Sequence, residues 1–311
     1  MSQALHRARA GIGRSAGLSL VAVSGGADSL ALAIAAGTLP GEFGAVIVDH
    51  QLQEGSAQAA EAAAGQCRAL GLDPVLVLSV ETGADEASAR AARYGAFEQA
   101  AAETGAVRIL LAHTRDDQAE QVLLGLLRGS GTRSLAGMPK VRGMYQRPLL
   151  ELTRQDTEEI CRRAGVEYWE DPSNLDTGYR RNLIRHRVLP FLREELGEHL
   201  PQALARTAGL AAADADALDG WAQREWQEHG TNIKALRRLP GAVASRVLRL
   251  AAVNAGAKNV GLERTAALCR LAGIGAPPSK SAGPVQLDGK ISAYRAAPVI
   301  VFTTTGITRT D

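Results

Sequence analysis

Aromatic residues are scarce in this 311-residue chain, at 4%. That argues against an RNA-binding sheet paved with stacking rings. Cysteine is scarcer still: Cys67, Cys161 and Cys269 stand far apart, with no CxxC pair and no Cys/His cluster. Neither a disulfide framework nor a zinc site is encoded. No apolar run approaches the roughly 18 residues that a membrane helix needs. Neither sign of charge prevails, since 35 Lys+Arg against 33 Asp+Glu leave +2, and nothing global announces a nucleic-acid partner. Acid is missing from the first 27 residues, which carry Arg7, Arg9 and Arg14. This bias superficially matches a mitochondrial transit peptide. The segment runs straight into a strand, however, so the N-terminal helix of a cytoplasmic protein is the expectation.

What is present is a soluble globular composition, 46% hydrophobic and 22% charged, with length for about two domains. Short, nearly continuous apolar runs at Leu18–Val23, Gly44–Asp49, Val75–Val80 and Val107–Ala112 read as strands buried on both faces. Helix-length segments lie between them, at Ser29–Ala36, Ser56–Leu70, Glu86–Glu103 and Asp116–Leu127. The alternation predicts an α/β fold, a doubly wound, mostly parallel sheet, with ligands bound beyond the carboxyl ends of the strands. Ser24–Ser29, Asp49–His50 and His113–Asp117 should then share one crevice. Three regions are expected: 1–197 as the α/β domain, 198–276 as a mainly helical domain, and 277–311 as a short β-rich tail. A short helix is expected near Gln155–Ala164, capped by Thr153 and Asp156, and another at Arg180–Leu192. In the tail, Val285–Leu287 and Lys290–Tyr294 read as a hairpin around an Asp288-Gly289 type I′ turn, followed by a strand at Pro298–Phe302.

The sharpest local feature is Ser24-Gly25-Gly26-Ala27-Asp28-Ser29, directly after the first strand. A glycine turn that opens a helix presents several N–H groups to an anion, although a plain capped β–α turn has the same sequence. It lacks the lysine of a Walker A loop and is not GxGxxG. Asp28 beside a phosphate cradle would repel the ligand unless a cation lay between them, which implies Mg²⁺.

This segment resembles the PP-loop of the ATP pyrophosphatases. Further stretches resemble the tRNA(Ile)-lysidine synthetases: Val48-Asp49-His50, Ala89–Tyr94, Ala112–Glu120, Leu127–Gly131, Arg147–Leu150, Asp171–Asn174 and Tyr179–Arg185. They follow the family's order over residues 20–190. The resemblance implies a carbon–nitrogen ligase that joins L-lysine to the wobble cytidine of tRNA(Ile) with a CAU anticodon. Its route would be an adenylated base, with release of pyrophosphate and AMP. ATP would lie on Ser24, Gly25, Gly26, Ala27, Asp28, Ser29 and Asp49, with Mg²⁺ on Asp28. Asp28, His113, Asp117 and Glu120 are the candidate catalytic residues. A homodimer is left open as the assembly.

Asp117 and Glu120, three apart, share one face of a helix's first turn. Paired carboxylates beside an ATP site could hold an ammonium, and the resemblance implies that of free lysine. Asp116 reads as a helix-terminal acid that suits the macrodipole. Candidate tRNA contacts are Arg90, Arg93, Arg128, Arg133, Arg181 and Arg185. Arg90 and Arg93 read equally as part of a solvated, ion-paired face with Glu86 and Glu98. Arg128-Gly-Ser-Gly-Thr-Arg133 reads as a basic loop whose glycines would let it move over the site, or as an ordinary helix terminator. If helical, Arg181 and Arg185 line one face at a spacing suited to adjacent phosphates. Tyr168, Trp169 and Tyr179 are candidate stacking partners for a splayed base, though Trp169 reads better as a buried anchor.

The chain departs from the family at Gln51-Leu52-Gln53, where a basic residue is usual, and at Gln121, where a threonine is common. It is also short after Pro277. The expectation for tRNA contacts outside the anticodon therefore falls on Arg237, Arg238, Arg246 and Arg249 of the helical region. The alternatives are a tRNA thiolase, a glutamine-dependent amidotransferase and a non-catalytic nucleotide-binding module. A thiolase would use a close cysteine pair, and an amidotransferase would need a glutaminase domain.

Overall fold

A computed structural model describes residues 2–51, 55–81, 86–129, 131–169, 175–275 and 283–304. Leu52, Gln53, Ser130, Asp171–Asn174 and Pro277 lie outside the described residues, as do the side chains of 86 and 87. The chain divides into two compact units, residues 1–129 with 134–209, and residues 130–133 with 210–311.

In the first unit the sheet runs in the order β3-β2-β1-β4-β6-β5. Its strands are β1 (Ser19–Val23), β2 (Phe43–Asp49), β3 (Val75–Ser79), β4 (Arg108–Leu110), β5 (Val141–Arg142) and β6 (Tyr145–Gln146). All pairings are parallel except β5 with β6. Helices α1 (Gln3–Ile12), α2 (Ala27–Gly37), α3 (Ser56–Ala69), α4 (Glu86–Thr104) and α5 (Arg115–Leu127) alternate with the first four strands. Because side chains alternate along a strand, each face of the sheet receives its own core. Val21, Val23, Ala45 and Ile47 pack with α1, α2 and α3. Leu20, Val46 and Ile109 pack with Phe97, Ala100 and Ala101 of α4. The N-terminal helix is part of that first core, through buried Ala4, Ala8 and Ile12. Gly11 belongs there because a Cβ would meet the Pro148 carbonyl oxygen at 2.3 Å.

After α5 come α6 (Thr132–Leu135), the β5–β6 hairpin, α7 (Arg154–Ala164) and α8 (Arg180–Leu183). A π turn over Ile184–Val188 leads from α8 into α9 (Leu189–Leu196), so the expected Arg180–Leu192 helix is divided by that turn and runs on to Leu196. The expected cap of α7 is a full capping box between Thr153 and Asp156. The hairpin was not legible in the sequence, being two residues per strand.

In the second unit, α10 (Leu200–His229, which begins in the first), α11 (Ile233–Leu236), α12 (Gly241–Asn254) and α13 (Leu262–Ala272) precede a β7-β8-β9 sheet. Its strands are Val285–Leu287, Ile291–Ala296 and Val299–Thr304. Val247, Leu248 and Leu268 share one core with Leu287, Ile291 and Ile300. The hairpin turn is one residue longer than expected, 288–290 in place of a two-residue type I′ turn: Leu287 pairs with Ile291, and the positive φ values fall at Gly289 and Lys290.

Candidate active site

Strand β1 has β2 on one side and β4 on the other. This is where the strand order reverses, and the crevice at such a point is where α/β sheets bind ligands. Beyond β1, Gly25 takes φ +81°, a conformation that glycine adopts without strain. Gly26 is the N-cap of α2 with no side-chain cap, so the first amides of the helix carry no side-chain capping bond. Ser29 is buried, and its hydroxyl accepts from the Ser24 amide at 3.1 Å and donates to the Gly26 carbonyl at 2.9 Å. It shapes the turn from within. The Trp169 amide donates to the Gly25 carbonyl at 2.9 Å and braces the same turn from outside.

Asp28, in the first turn of α2, reaches α7. Thr157 Oγ1 donates to it at 2.5 Å, and an Arg154 guanidinium nitrogen stands 3.5 Å away. Burial nevertheless pushes its carboxyl up to about 6, against the pull of Thr157 and Arg154. This carboxylate gains from any cation placed beside it. Among the described residues, no cluster of three or more His, Cys, Asp or Glu could hold a metal by itself. Asp28 alone would supply the protein oxygen to a Mg²⁺ there, which fits an ion usually bound through one or two carboxylates.

Beyond β4, Thr114 caps α5 and forms a capping box with Asp117. The capping acid is therefore Asp117, whereas Asp116 accepts the Arg154 amide at 2.9 Å and ties α5 to α7. Asp117 and Glu120 do share one face, but they are not free. Asp117 Oδ1 accepts from both Arg181 and Arg185 at 2.8 Å. Glu120, 1% exposed, accepts from Arg181 at 2.8 Å and from Arg185 at 2.6 Å. Burial alone would raise Asp117, but the two guanidiniums override it and hold the group at about 2. Arg181 and Arg185 lie on one face as expected, yet that face turns inward to the acids. Buried carboxylates are tolerable only when paired in this way. A phosphate-facing role for these arginines is not what the structure displays.

His113 follows β4, with a buried Nδ1 that has no partner among the described residues. Burial lowers its pKa to about 4, assisted by Arg147, Arg181 and Arg90, so the imidazole is neutral at pH 7. Asp49 ends β2 and accepts the Gln51 amide at 2.9 Å. Arg93 Nε donates to His50 Nε2 at 3.1 Å, while Arg90 lies over the Tyr94 ring and donates to its hydroxyl. Glu98 accepts from Tyr145 instead of an arginine. Arg128 is exposed at the end of α5. Arg133 is ion-paired with Asp216 and Asp219. Trp169, expected as an anchor, is 42% exposed beside the glycine turn. Its neighbour Tyr168 packs on the core instead. Thr157, Arg154 and buried Arg147 carried no signal in the sequence beyond Arg147's place in an Arg-Pro-Leu-Leu stretch.

A family model described as the PP-loop domain matches residues 3–192. The chain is 49% identical over 255 residues to the tRNA(Ile)-lysidine synthase of Streptomyces coelicolor, covering 77% of this chain and 72% of that one. It is also 49% identical over 251 residues to the synthase of the same name from Thermobifida fusca, covering 77% and 78%. The chain belongs to the tRNA(Ile)-lysidine synthase family. A solved U34-tRNA thiolase, NcsA from Methanococcus maripaludis, superposes with a TM-score of 0.58 at 15% identity, covering 68% of this chain and 79% of that one. That likeness concerns the fold. Within the family's PP-loop domain, the glycine turn and the quartet of Asp117, Glu120, Arg181 and Arg185 stand out as the two charged centres beyond β1 and β4.

Proposed function

We propose that the chain ligates lysine to the wobble cytidine of tRNA(Ile) bearing a CAU anticodon, at the expense of ATP. Membership of the family carries the reading, and the geometry supports the following division of parts. In the first step the cytosine 2-carbonyl oxygen attacks the α-phosphorus of ATP and the bond to pyrophosphate breaks. In the second, the lysine ε-amine attacks the adenylated carbon, the carbon–oxygen bond breaks, AMP departs, and the amine gives up a proton.

The amides of Gly26 to Asp28 face the phosphates, with Ser29 and Trp169 holding the turn in shape. Asp28 would hold Mg²⁺, which would supply positive charge beside the pyrophosphate. Thr157 and Arg154 orient the Asp28 carboxylate. Neutral His113, which follows β4 and interacts electrostatically with Asp117, offers an unpartnered nitrogen that would accept or relay a proton. Asp117 and Glu120 receive the lysine ammonium by exchange. Two carboxylates and two guanidiniums already balance, so a third cation enters only if one guanidinium moves off, and Arg181 is the more exposed of the two.

A thiolase needs a reactive sulfur, whereas burial pushes the Cys67 and Cys161 thiols up to about 11 and keeps them protonated. No helix among the described residues is long and apolar enough to cross a membrane. The cytoplasm, where tRNA is modified, is the proposed location. The test is incubation of the protein with ATP, Mg²⁺, labelled lysine and a CAU-anticodon tRNA. Label in the tRNA with stoichiometric AMP supports the reading. Sulfur transfer, or nucleotide binding without turnover, overturns it.

A further inference from the structure

Residues 166–169 lead from the end of α7 to the glycine turn, and inward and outward side chains alternate along them. Val166 and Tyr168 pack on a core of the first unit, whereas Glu167 and Trp169 are exposed. The backbone of this segment is pinned at both outward residues. Gln66 Nε2 of α3 donates to the Glu167 carbonyl at 2.6 Å, and the Trp169 amide donates to the Gly25 carbonyl at 2.9 Å. A Cβ placed on Gly25 would stand 4.0 Å from the Trp169 Cβ. The indole is therefore rooted against the turn that opens α2.

The three tryptophans of the chain are used differently. Trp226 packs on the core of the second unit. Trp221 donates from Nε1 to Glu225 at 2.9 Å. The Trp169 indole makes neither a hydrogen bond nor a ring or cation–π contact among the described residues. Tyr168 already anchors the segment, and the brace on Gly25 comes from the backbone. A small polar residue would serve at 169 if that brace were its whole purpose.

An indole presents a broad, rigid π face at small conformational cost. Phosphate gains little from such a face. A nucleobase gains much, because every base carries a π surface that stacks on an aromatic ring. Two bases come to this turn in the adenylation step, the adenine of ATP and the wobble cytosine. We propose that Trp169 is the stacking plate for a nucleobase held beside the phosphate cradle. The proposal rests on the ligase reading for the identity of the two bases. Stacking fixes the plane of the base while the adjacent amides fix the phosphates, so one turn orients both.

The test uses the full chain and two variants, Trp169→Ala and Trp169→Phe. Both keep the amide that braces Gly25. In one arm ATP and pyrophosphate are titrated, each with Mg²⁺. In the other arm two CAU anticodon stem-loops are titrated, one with cytidine and one abasic at the wobble position. Stacking on adenine predicts that Trp169→Ala weakens ATP about tenfold and leaves pyrophosphate unchanged. Stacking on cytosine predicts a similar loss for the cytidine stem-loop and none for the abasic one. In either case Trp169→Phe should recover most of the affinity, because a phenyl face replaces the indole face. Variants that bind all four probes as the wild type does overturn the proposal. So do losses in Trp169→Ala that are as large without the base as with it, and so does a Phe variant that recovers nothing. If binding depends on a base through Trp169 but no lysine is joined to tRNA, the ligase reading fails and the stacking plate stands. If lysine is joined and neither base depends on Trp169, only the stacking plate fails.

Discussion

The first unit contains two acidic centres on the same crevice, and they are held in opposite ways. Asp28 is largely desolvated, has one hydroxyl donor and a guanidinium 3.5 Å away, and is pushed up to about 6. Asp117 is more deeply buried, yet two guanidiniums at 2.8 Å hold it at about 2. The difference is charge balance, not burial. Asp28 is left short of positive charge, as a group awaiting a cation should be. Asp117 and Glu120 already have theirs, so a substrate ammonium must compete for them.

The largest effect expected from this contrast is on chemistry. Asp28→Ala should lower AMP and pyrophosphate formation by about 10²–10³-fold. Asp117→Ala should chiefly raise the lysine concentration needed, leaving base adenylation closer to wild type. Equal damage to both steps in single-turnover assays would erase the division of labour between the centres.

Removal of a partner cation comes next. Arg185→Leu leaves two buried carboxylates with one guanidinium and should cost roughly 3–5 kcal/mol in urea unfolding at pH 7. Arg181→Leu should cost less, because its side chain is 28% exposed against 18% for Arg185. A reversed order would mean that Arg185 is not the principal counter-charge.

The pH dependence of stability should have opposite signs at the two centres. A raised carboxyl stabilises the fold only while protonated, so the Asp28 contribution is present below about pH 4 and lost as pH rises through 6. Asp28→Asn should therefore gain stability relative to wild type over that interval, up to about 3 kcal/mol, and stay level above it. Asp117 is lowered, so its contribution is present above about pH 4 and lost as pH falls through 2. The deficit of Asp117→Asn should shrink over that lower interval. Parallel curves for the two variants would show that the centres do not differ in charge balance.

The smallest effect belongs to Thr157→Val, which removes one hydrogen bond to Asp28. A loss of about 1 kcal/mol in stability or transition-state binding is expected, read as a few-fold fall in pyrophosphate release. An unaltered rate would leave Thr157 with no part in orienting Asp28.

Much of this was legible in the sequence where a local pattern suffices. The Leu18–Val23 and Gly44–Asp49 runs became β1 and β2 because a strand buried on both faces must be apolar throughout, whereas the Val75–Val80 run became the edge strand β3, which is only half-buried. The Thr153–Asp156 cap is likewise local chemistry. Local pattern failed where a side chain's partner lies far along the chain. The i, i+4 spacing of Arg181 and Arg185 shows a shared face but not which way it turns, and 65 residues separate Arg185 from Glu120. Thr157 meets Asp28 across 129 residues, and no spacing rule spans that interval. Trp169, expected as the anchor, is exposed while Tyr168 packs on the core, and nothing local says which of two adjacent aromatics turns inward.

By itself the sequence determined the α/β alternation, the glycine turn after the first strand and the acids that open α5. Each of these depends on residues within a few positions of one another. Only the tertiary structure decided that the two arginines neutralise those acids and that Asp28 leans on α7. These are electrostatic facts, set by distance in space and exclusion of water. Thus a chain of net charge +2 holds, within one unit, a neutralised acidic quartet and a carboxylate left short of positive charge.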